Sequence, residues 1–225
     1  MFIKICGITS AKSGEDCFNL GADMIGLVYH RPSPRHLEAS QMAKIVKSLV
    51  PFRAAGKRIA LVLAERNSKI VRNILVECGN SFDYVQQYEC LDDSEIKLFK
   101  DQIHPANLIQ AVRDWKTAER LLRDELAPTK TVHDEPQFVL EMASGPLPGG
   151  NGLTWNWRDA ASFCRRFPTL IAGGLNPGNV RQAIRDASPF GIDLSSGVES
   201  MPGVKDLEQV KQLIHIVRKN TSFIQ

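Results

Sequence analysis

The chain has 225 residues, 43% of them hydrophobic, and a formal net charge of +3 at pH 7. This length is sufficient for one α/β domain with a full core, and we expect residues 1–225 to form a single domain. Acidic and basic residues are interspersed and nearly balanced, so neither nucleic acid nor an anionic membrane is indicated as a partner. A small anionic substrate is compatible with this charge.

The cysteines and the N-terminal sequence indicate a cytoplasmic protein. Five cysteines are scattered at positions 6, 17, 78, 90 and 164, without the CxxC pair of a metal site. Such a pattern is typical of reduced thiols. The N-terminus lacks the long apolar segment of a signal peptide, and no apolar run is long enough to cross a bilayer. The five histidines have no metal-ligand spacing either, so no metal site is predicted.

Short apolar, β-branched runs alternate with longer segments of helical periodicity along the chain. This alternation is typical of repeated βα units with a parallel sheet, and near-continuous apolar character fits strands buried on both faces. The predicted strands are Phe2–Cys6, Met24–Tyr29, Arg58–Ala64, Tyr84–Gln87, Asn107–Val112, Phe138–Glu141, Thr169–Ala172 and Gly191–Ser195. Eight such units predict an α/β fold, a single (β/α)8 TIM barrel.

Helices are predicted between the strands from the spacing of their apolar residues. They cover Ala11–Leu20, Glu38–Leu49, Asn67–Cys78, Asp92–Lys100, Trp115–Asp124, Trp157–Phe167, Pro177–Asp186 and Asp206–Lys219. Gly21 is a natural stop for the first of these helices. The fifth unit has the weakest pattern, because residues 114–126 are highly charged and residues 128–136 have the composition of a surface loop.

Two turns rich in small residues follow the last two predicted strands. The first contains Gly173 and Gly174, and the second contains Ser195 and Ser196. Backbone N–H groups at glycine turns and helix N-termini bind anions. In a β/α barrel the loops after strands seven and eight are a frequent phosphate site. The sequence therefore predicts one phosphate group held by both turns.

Three further candidates lie at or just after strand ends, where barrel enzymes have their chemistry. Cys6 ends the first strand and is a candidate base or nucleophile, a buried apolar residue being the alternative. Glu141 ends the sixth strand and is a candidate general acid with a raised pKa, an exposed carboxylate being the alternative. Arg35, in a loop stiffened by two prolines, is a candidate clamp for a planar carboxylate, or else a solvated residue.

Six motifs occur in order from one end of the chain to the other. They are Lys4-Ile5-Cys6-Gly7-Ile8-Thr9, Gly21-Ala22-Asp23-Met24-Ile25-Gly26-Leu27-Val28, Ser33-Pro34-Arg35, Gly149-Gly150-x-Gly152, Ala172-Gly173-Gly174-Leu175-x-Pro177-x-Asn179-Val180 and Asp193-x-Ser195-Ser196-Gly197-Val198-Glu199-x-x-x-Gly203-x-Lys205-Asp206. Together they resemble the phosphoribosylanthranilate isomerase family of tryptophan biosynthesis. The resemblance implies an Amadori rearrangement of a phosphoribosyl substrate that needs no metal or organic cofactor.

The resemblance also implies roles for individual residues. Cys6 looks like the general base that removes the proton at C2′ of the sugar, and Glu141 stands where the family has its general acid. Arg35 looks like the clamp on the anthranilate carboxylate, and Asp193 like a residue that orders the substrate. The two turns look like the phosphate cradle.

The chain departs from the family pattern at the end of the site opposite the phosphate motifs. Glu141 replaces an aspartate, which moves the carboxyl group about 1.5 Å further from the backbone. Strand four reads Val85-Gln86-Gln87-Tyr88-Glu89 where the family has Val-Gln-Leu-His-Gly, and Gln110 replaces a lysine.

These departures leave three hypotheses. The first is phosphoribosylanthranilate isomerase activity. The second is the same rearrangement on a different phosphoribosylated amine, favoured by the changes on strands four to six. The third is a degenerate paralogue that binds a phosphosugar without turnover. Cys6 and Arg35 argue against the third, and Arg35 argues against the second because a clamp implies a carboxylated ring. Monomers and homodimers are both compatible with the sequence.

Overall fold

The computed structural model describes residues 1–64, 68–79, 81–88, 107–123, 135–142 and 152–221. Within these ranges, eight parallel strands close into a barrel in chain order, and β8 pairs with β1. The strands are β1 (Phe2–Cys6), β2 (Met24–Tyr29), β3 (Arg58–Leu63), β4 (Tyr84–Gln87), β5 (Asn107–Val112), β6 (Phe138–Leu140), β7 (Thr169–Ile171) and β8 (Gly191–Leu194). The predicted TIM barrel is confirmed.

Helices cover the outside of the barrel. Those described are α1 (Ala11–Leu20), α2 (Ala39–Ser48), α3 (Val50–Ala54), α4 (Ser68–Glu77), α5 (Trp115–Arg123), α6 (Ala161–Arg166), α7 (Val180–Ala187) and α8 (Leu207–Thr221). Two 3₁₀ turns add Trp157–Ala160 and Ser196–Val198. The helix predicted at Asp92–Lys100 lies outside the described residues. None of the described helices has both the length and the apolar character needed to cross a bilayer.

The first helix shows how local sequence sets helix bounds. The Ser10 side chain accepts a hydrogen bond from the backbone N–H of Ser13 and so caps the N-terminus. Gly21 ends the helix in the left-handed region, with φ at 113°, and its N–H donates to carbonyls of the last turn. The predicted bounds of this helix are confirmed.

Two other helix predictions were wrong in detail. The helix predicted from Pro177 begins at Val180, because the side chains of Asn176 and Asn179 hold the preceding residues in a turn. The helix predicted as Trp157–Phe167 opens instead with a 3₁₀ turn.

A short antiparallel hairpin, absent from the prediction, covers one side of the barrel mouth. It consists of β9 (Glu199–Met201) and β10 (Val204–Lys205). Gly203 lies in its turn with φ at +84°, and Thr9 Oγ1 donates a hydrogen bond to the Gly203 carbonyl at 2.7 Å. The hairpin is therefore held against the loop that follows β1.

Successive side chains along each strand point to opposite faces of the sheet, so the apolar residues form two separate clusters. The larger cluster lies between the barrel and the helices and includes Phe138, Phe163 and Phe167. The smaller cluster contains the inward-facing residues Met24 and Tyr84. Toward the carboxyl ends of the strands the barrel interior becomes polar, with buried side chains from Lys4, Gln86, Glu141 and Asp193. The polar end of the interior is the floor of the candidate site.

Candidate active site

A cleft opens at the carboxyl ends of the barrel strands. Its lining includes all eight residues that the sequence singled out, namely Cys6, Arg35, Glu141, Gly173, Gly174, Asp193, Ser195 and Ser196. These residues come from β1 and β8 or from the segments that follow β2, β6, β7 and β8. The barrel topology thus gathers residues from the first strand and from the last strand at one mouth, as expected for enzymes of this fold.

The Cys6 thiol occupies space that a neighbouring glycine leaves open. Cys6 pairs with Gly26 on β2, and a Cβ atom at Gly26 would lie 2.9 Å from Cys6 Sγ. Burial raises the pKa of the Cys6 thiol, while the positive charge of Lys4 works in the opposite direction. Cys6 is therefore a buried thiol with a cation beside it.

Lys4 and Asp193 form an ion pair inside the barrel. Lys4 Nζ lies 2.8 Å from Asp193 Oδ2, and both side chains are buried. Burial alone would lower the pKa of Lys4, but the neighbouring Asp193 and Cys6 raise it. The second oxygen of Asp193, Oδ1, has no hydrogen-bond partner among the described residues. One edge of this carboxylate is therefore left to meet a ligand in the cleft.

Arg35 is buried rather than solvated, and an internal carboxylate holds it. Its Nε and Nη2 atoms donate to Glu199 Oε1 and Oε2 at 2.8 and 2.7 Å. Its side chain passes over Gly7, where a Cβ atom would come within 2.4 Å of Arg35 Cδ. The Nη1 atom forms no hydrogen bond to any residue the structure describes.

Glu141 is buried at the opposite side of the mouth, so the exposed-carboxylate interpretation is wrong. Tyr88 Oη donates to Glu141 Oε2 at 3.4 Å, a long distance for an O–H···O hydrogen bond. Burial and the nearby Glu141 hold the pKa of Tyr88 well above its usual value. Two of the positions that depart from the family pattern are therefore neighbours in the fold.

The two small-residue turns lie side by side at the mouth. Gly173 and Gly174 adopt φ values of +91° and +63°, which glycine alone accepts readily. A Cβ atom at Gly174 would lie 2.7 Å from the carbonyl carbon and oxygen of Leu153. In the second turn, Ser195 Oγ is buried without a hydrogen-bond partner among the described residues. This arrangement is suited to an anion with several oxygens.

The sequence did not identify three buried charged residues of the site. Lys4 belongs to the first motif, but no role was predicted for it. A lysine at an inward position of an apolar strand does indicate a buried, paired charge. Glu199 and Lys205 lie in the hairpin that was not predicted. Among the described residues, no cluster of three or more His, Cys, Asp or Glu side chains has the arrangement of a metal site.

Comparison with known proteins finds similar proteins over nearly the whole length of the chain. A family model described as N-(5'phosphoribosyl)anthranilate (PRA) isomerase matches residues 3–216. The N-(5'-phosphoribosyl)anthranilate isomerase of Desulfatibacillum aliphaticivorans is 36% identical over 214 residues, covering 94% of this chain and 90% of the relative. That of Geobacter sulfurreducens is 33% identical over 219 residues, covering 94% and 96%.

Solved structures agree with the sequence relatives. The phosphoribosyl anthranilate isomerase of Thermotoga maritima superimposes with a TM-score of 0.80 at 26% identity, covering 97% of this chain and 99% of the other. A phosphoribosyl anthranilate isomerase in complex with reduced 1-(o-carboxyphenylamino)-1-deoxyribulose 5-phosphate gives 0.76 at 25% identity, with the same coverage. The chain therefore belongs to the N-(5'-phosphoribosyl)anthranilate isomerase family.

Proposed function

We propose that this protein converts N-(5'-phosphoribosyl)anthranilate to 1-(o-carboxyphenylamino)-1-deoxyribulose 5-phosphate, a step of tryptophan biosynthesis. Family membership supports this activity. The observation that carries it is the convergence of a thiol, a carboxyl group, an arginine and two small-residue turns on one cleft. Each end of this substrate then has a partner of matching chemistry.

The substrate phosphate binds at the two turns. Backbone N–H groups at Gly173 and Gly174, together with the Ser195 hydroxyl, donate to its oxygens. The free Oδ1 of Asp193 accepts a hydrogen bond from a ribose hydroxyl. The carboxylate of the aromatic ring meets Arg35. Substrate is thus held at three points, which fixes its reacting carbons between Cys6 and Glu141.

Glu141 supplies the first proton. Its carboxyl group protonates the ribose ring oxygen, the bond from that oxygen to C1′ breaks, and the nitrogen lone pair forms the C=N bond of a Schiff base. This step requires the neutral acid, and the carboxyl group is buried at the end of β6 beside the Tyr88 hydroxyl. Glu141 must be protonated before each turnover.

Cys6 completes the rearrangement as its thiolate. It removes the proton at C2′, and the electron pair left behind forms a double bond to C1′ while the C=N electrons return to nitrogen. The resulting enolamine becomes the ketone when the C2′ hydroxyl loses its proton and C1′ gains one. The charge of Lys4 stabilises the thiolate.

A second candidate substrate class follows from the ring end of the cleft. Tyr88 lies against Glu141, so the aromatic group meets a bulkier wall than a histidine and an aspartate would form. A phosphoribosylated amine with a different aromatic group would undergo the same chemistry. Arg35 in the cleft supports the carboxylated ring instead.

The test is turnover by purified protein together with growth of a tryptophan auxotroph that lacks the isomerase. We expect both conversion of phosphoribosylanthranilate and restored growth on medium without tryptophan. Folded protein that leaves this substrate unchanged but rearranges another phosphoribosylamine would support the second candidate. Folded protein that binds inorganic phosphate and rearranges neither would indicate the degenerate paralogue.

A further inference from the structure

A third charged residue extends the pair between Arg35 and Glu199. Lys205, on β10, has its Nζ atom 2.6 Å from Glu199 Oε1. The same Nζ donates to the backbone carbonyl of Ser195 at 3.0 Å. Arg35, Glu199, Lys205 and the second small-residue turn are thereby connected by direct contacts. We refer to the three side chains as the hairpin triad.

The hairpin triad is buried and carries one positive charge more than its negative charge. The side chains of Arg35, Glu199 and Lys205 are 6%, 4% and 1% exposed. Charges this deeply buried are costly unless each has a partner of opposite sign. While Cys6 is a neutral thiol, these two cations share a single carboxylate among the described residues, so an anionic group of a ligand at the cleft side of Arg35 would balance the triad.

The contacts also determine which edge of the guanidinium can meet that anion. Glu199 occupies the edge formed by Nε and Nη2. The end-on edge presents one hydrogen on Nη1 and the second hydrogen on Nη2, which together form a fork that fits a carboxylate. Glu199 therefore fixes the direction from which a ligand carboxylate can approach.

We infer that Glu199 and Lys205 are positioning residues for the ring carboxylate of the substrate. Glu199 orients Arg35, and Lys205 holds Glu199 while anchoring it to the turn at Ser195. The distance between the carboxylate site and the phosphate site is thus set by protein contacts before substrate binds. This inference rests on the proposed function, since it assigns Arg35 to a carboxylated ring.

The test compares two inhibitors that differ in the carboxylate alone. One is reduced 1-(o-carboxyphenylamino)-1-deoxyribulose 5-phosphate, and the other is the same compound with an unsubstituted phenyl ring. Glu199→Gln is expected to weaken the carboxylated inhibitor roughly 10- to 100-fold and the phenyl inhibitor by less than about threefold. Glu208→Gln, at an exposed position in α8, is the matched control and is expected to change neither.

Two further variants separate positioning from a general loss of structure. Glu199→Asp keeps the charge but is too short to bond both nitrogens in the same geometry, so it is expected to give a smaller loss with the same selectivity. Adding Glu199→Gln to Arg35→Ala is expected to weaken the carboxylated inhibitor no further, because Glu199 acts through Arg35. Thermal unfolding of each variant reports whether it is folded.

The outcomes distinguish this inference from the proposed function. Equal weakening of both inhibitors by folded Glu199→Gln, or no weakening of either, would overturn the positioning role. If Glu199→Gln does not fold, Glu199→Asp decides by the same criterion. Turnover of phosphoribosylanthranilate by the unmodified protein is measured separately. If the unmodified protein shows no turnover, and Glu199→Gln still loses affinity for the carboxylated inhibitor alone, the proposed function is refuted and the positioning role stands.

Discussion

At the scale of single residues, the Cys6 thiol is subject to opposing influences. Burial disfavours the thiolate, and Lys4 favours it. Asp193 pairs with Lys4 and offsets part of its positive charge, which raises the pKa of Cys6 again. Lys205 favours the thiolate as Lys4 does, and the balance among these charges and burial determines what fraction of Cys6 is thiolate at neutral pH.

The pH dependence of the reaction tests this balance. The reaction needs a deprotonated Cys6 and a protonated Glu141, so kcat/KM is expected to follow a bell-shaped pH profile, and a raised pKa of Cys6 moves the limb that reports Cys6 to higher pH. Asp193→Asn removes a negative charge and is expected to move that limb to lower pH. Lys4→Met removes a positive charge and is expected to move it to higher pH. The measurement is the pH profile of kcat/KM.

The control for these profiles is Lys12→Met, an exposed lysine on α1, which is expected to leave the profile unchanged. Shifts of the same sign in Asp193→Asn and Lys4→Met would contradict the assignment of that limb to Cys6.

Replacing the thiol itself gives a second prediction. Cys6→Ser is expected to lower kcat by about 10²- to 10⁴-fold, because a serine hydroxyl is a far weaker base at neutral pH. Affinity for inorganic phosphate should change little, since the phosphate turns are on other strands. Cys164→Ser, at a half-buried thiol on α6, serves as the control. A fully active Cys6→Ser variant would exclude Cys6 as the base.

Glu141 gives a third prediction. In Glu141→Asp the carboxyl group retreats toward the backbone and leaves Tyr88, so kcat/KM is expected to fall by about 10²-fold. Glu119→Asp, at an exposed position on α5, should have no effect. A Glu141→Asp variant as fast as the parent would mean that the backbone already accommodates either acid.

Residues at strand ends could be located from the sequence because topology alone brings them together. Cys6 and Glu141 follow buried strands, and a closed barrel places such ends at one mouth. Glu199 could not be located in this way. Its partner Arg35 lies 164 residues away, and their contact depends on a loop and a hairpin that no periodic pattern indicates.

At the scale of elements, the glycine turn after β7 combines strained backbone with close packing. Gly174→Ala would place a methyl group against the Leu153 backbone, whereas Gly56 has a similar positive φ with open space around it. Both alanine variants are expected to lose about 1–2 kcal/mol of unfolding free energy from the left-handed backbone, and Gly174→Ala is expected to lose more than that because its methyl group meets the Leu153 backbone. Gly174→Ala alone is expected to weaken binding of inorganic phosphate as well.

Urea unfolding and phosphate titration measure the two effects separately. Equal phosphate affinity in Gly174→Ala and Gly56→Ala would show that the packing of this turn does not govern the phosphate site.

The strands were predictable to within one residue because most of them are short runs of buried apolar residues, although β4 ends in the buried pair Gln86 and Gln87. Short elements were not. The α3 helix has five residues and β10 has two, too few for a repeating pattern to emerge. Their positions follow from contacts with distant parts of the chain, such as that between Thr9 and Gly203.

At the scale of the whole molecule, the apolar shell between barrel and helices contributes the stability that the polar mouth lacks. Phe163 is fully buried there, with its ring centroid 5.3 Å from Phe138 and 4.8 Å from Phe167. Phe163→Ala is expected to lower the unfolding free energy by about 3–5 kcal/mol, measured by urea unfolding. Activity per folded molecule should be retained, because the shell lies on the outer face of β6. A loss below about 1 kcal/mol would show that neighbouring side chains refill the space.

Closure of the barrel between β1 and β8 has a consequence for synthesis of the protein. Lys4 and Asp193 form one ion pair but are 189 residues apart in the chain. At a translation rate of about 5–20 residues per second, the first strand waits roughly 10–40 s on the ribosome for the last. Throughout that interval Lys4 lacks its carboxylate and one edge of β1 lacks its neighbour. The ion pair in the barrel and the closure of the sheet can therefore form only after the final strand has left the ribosome.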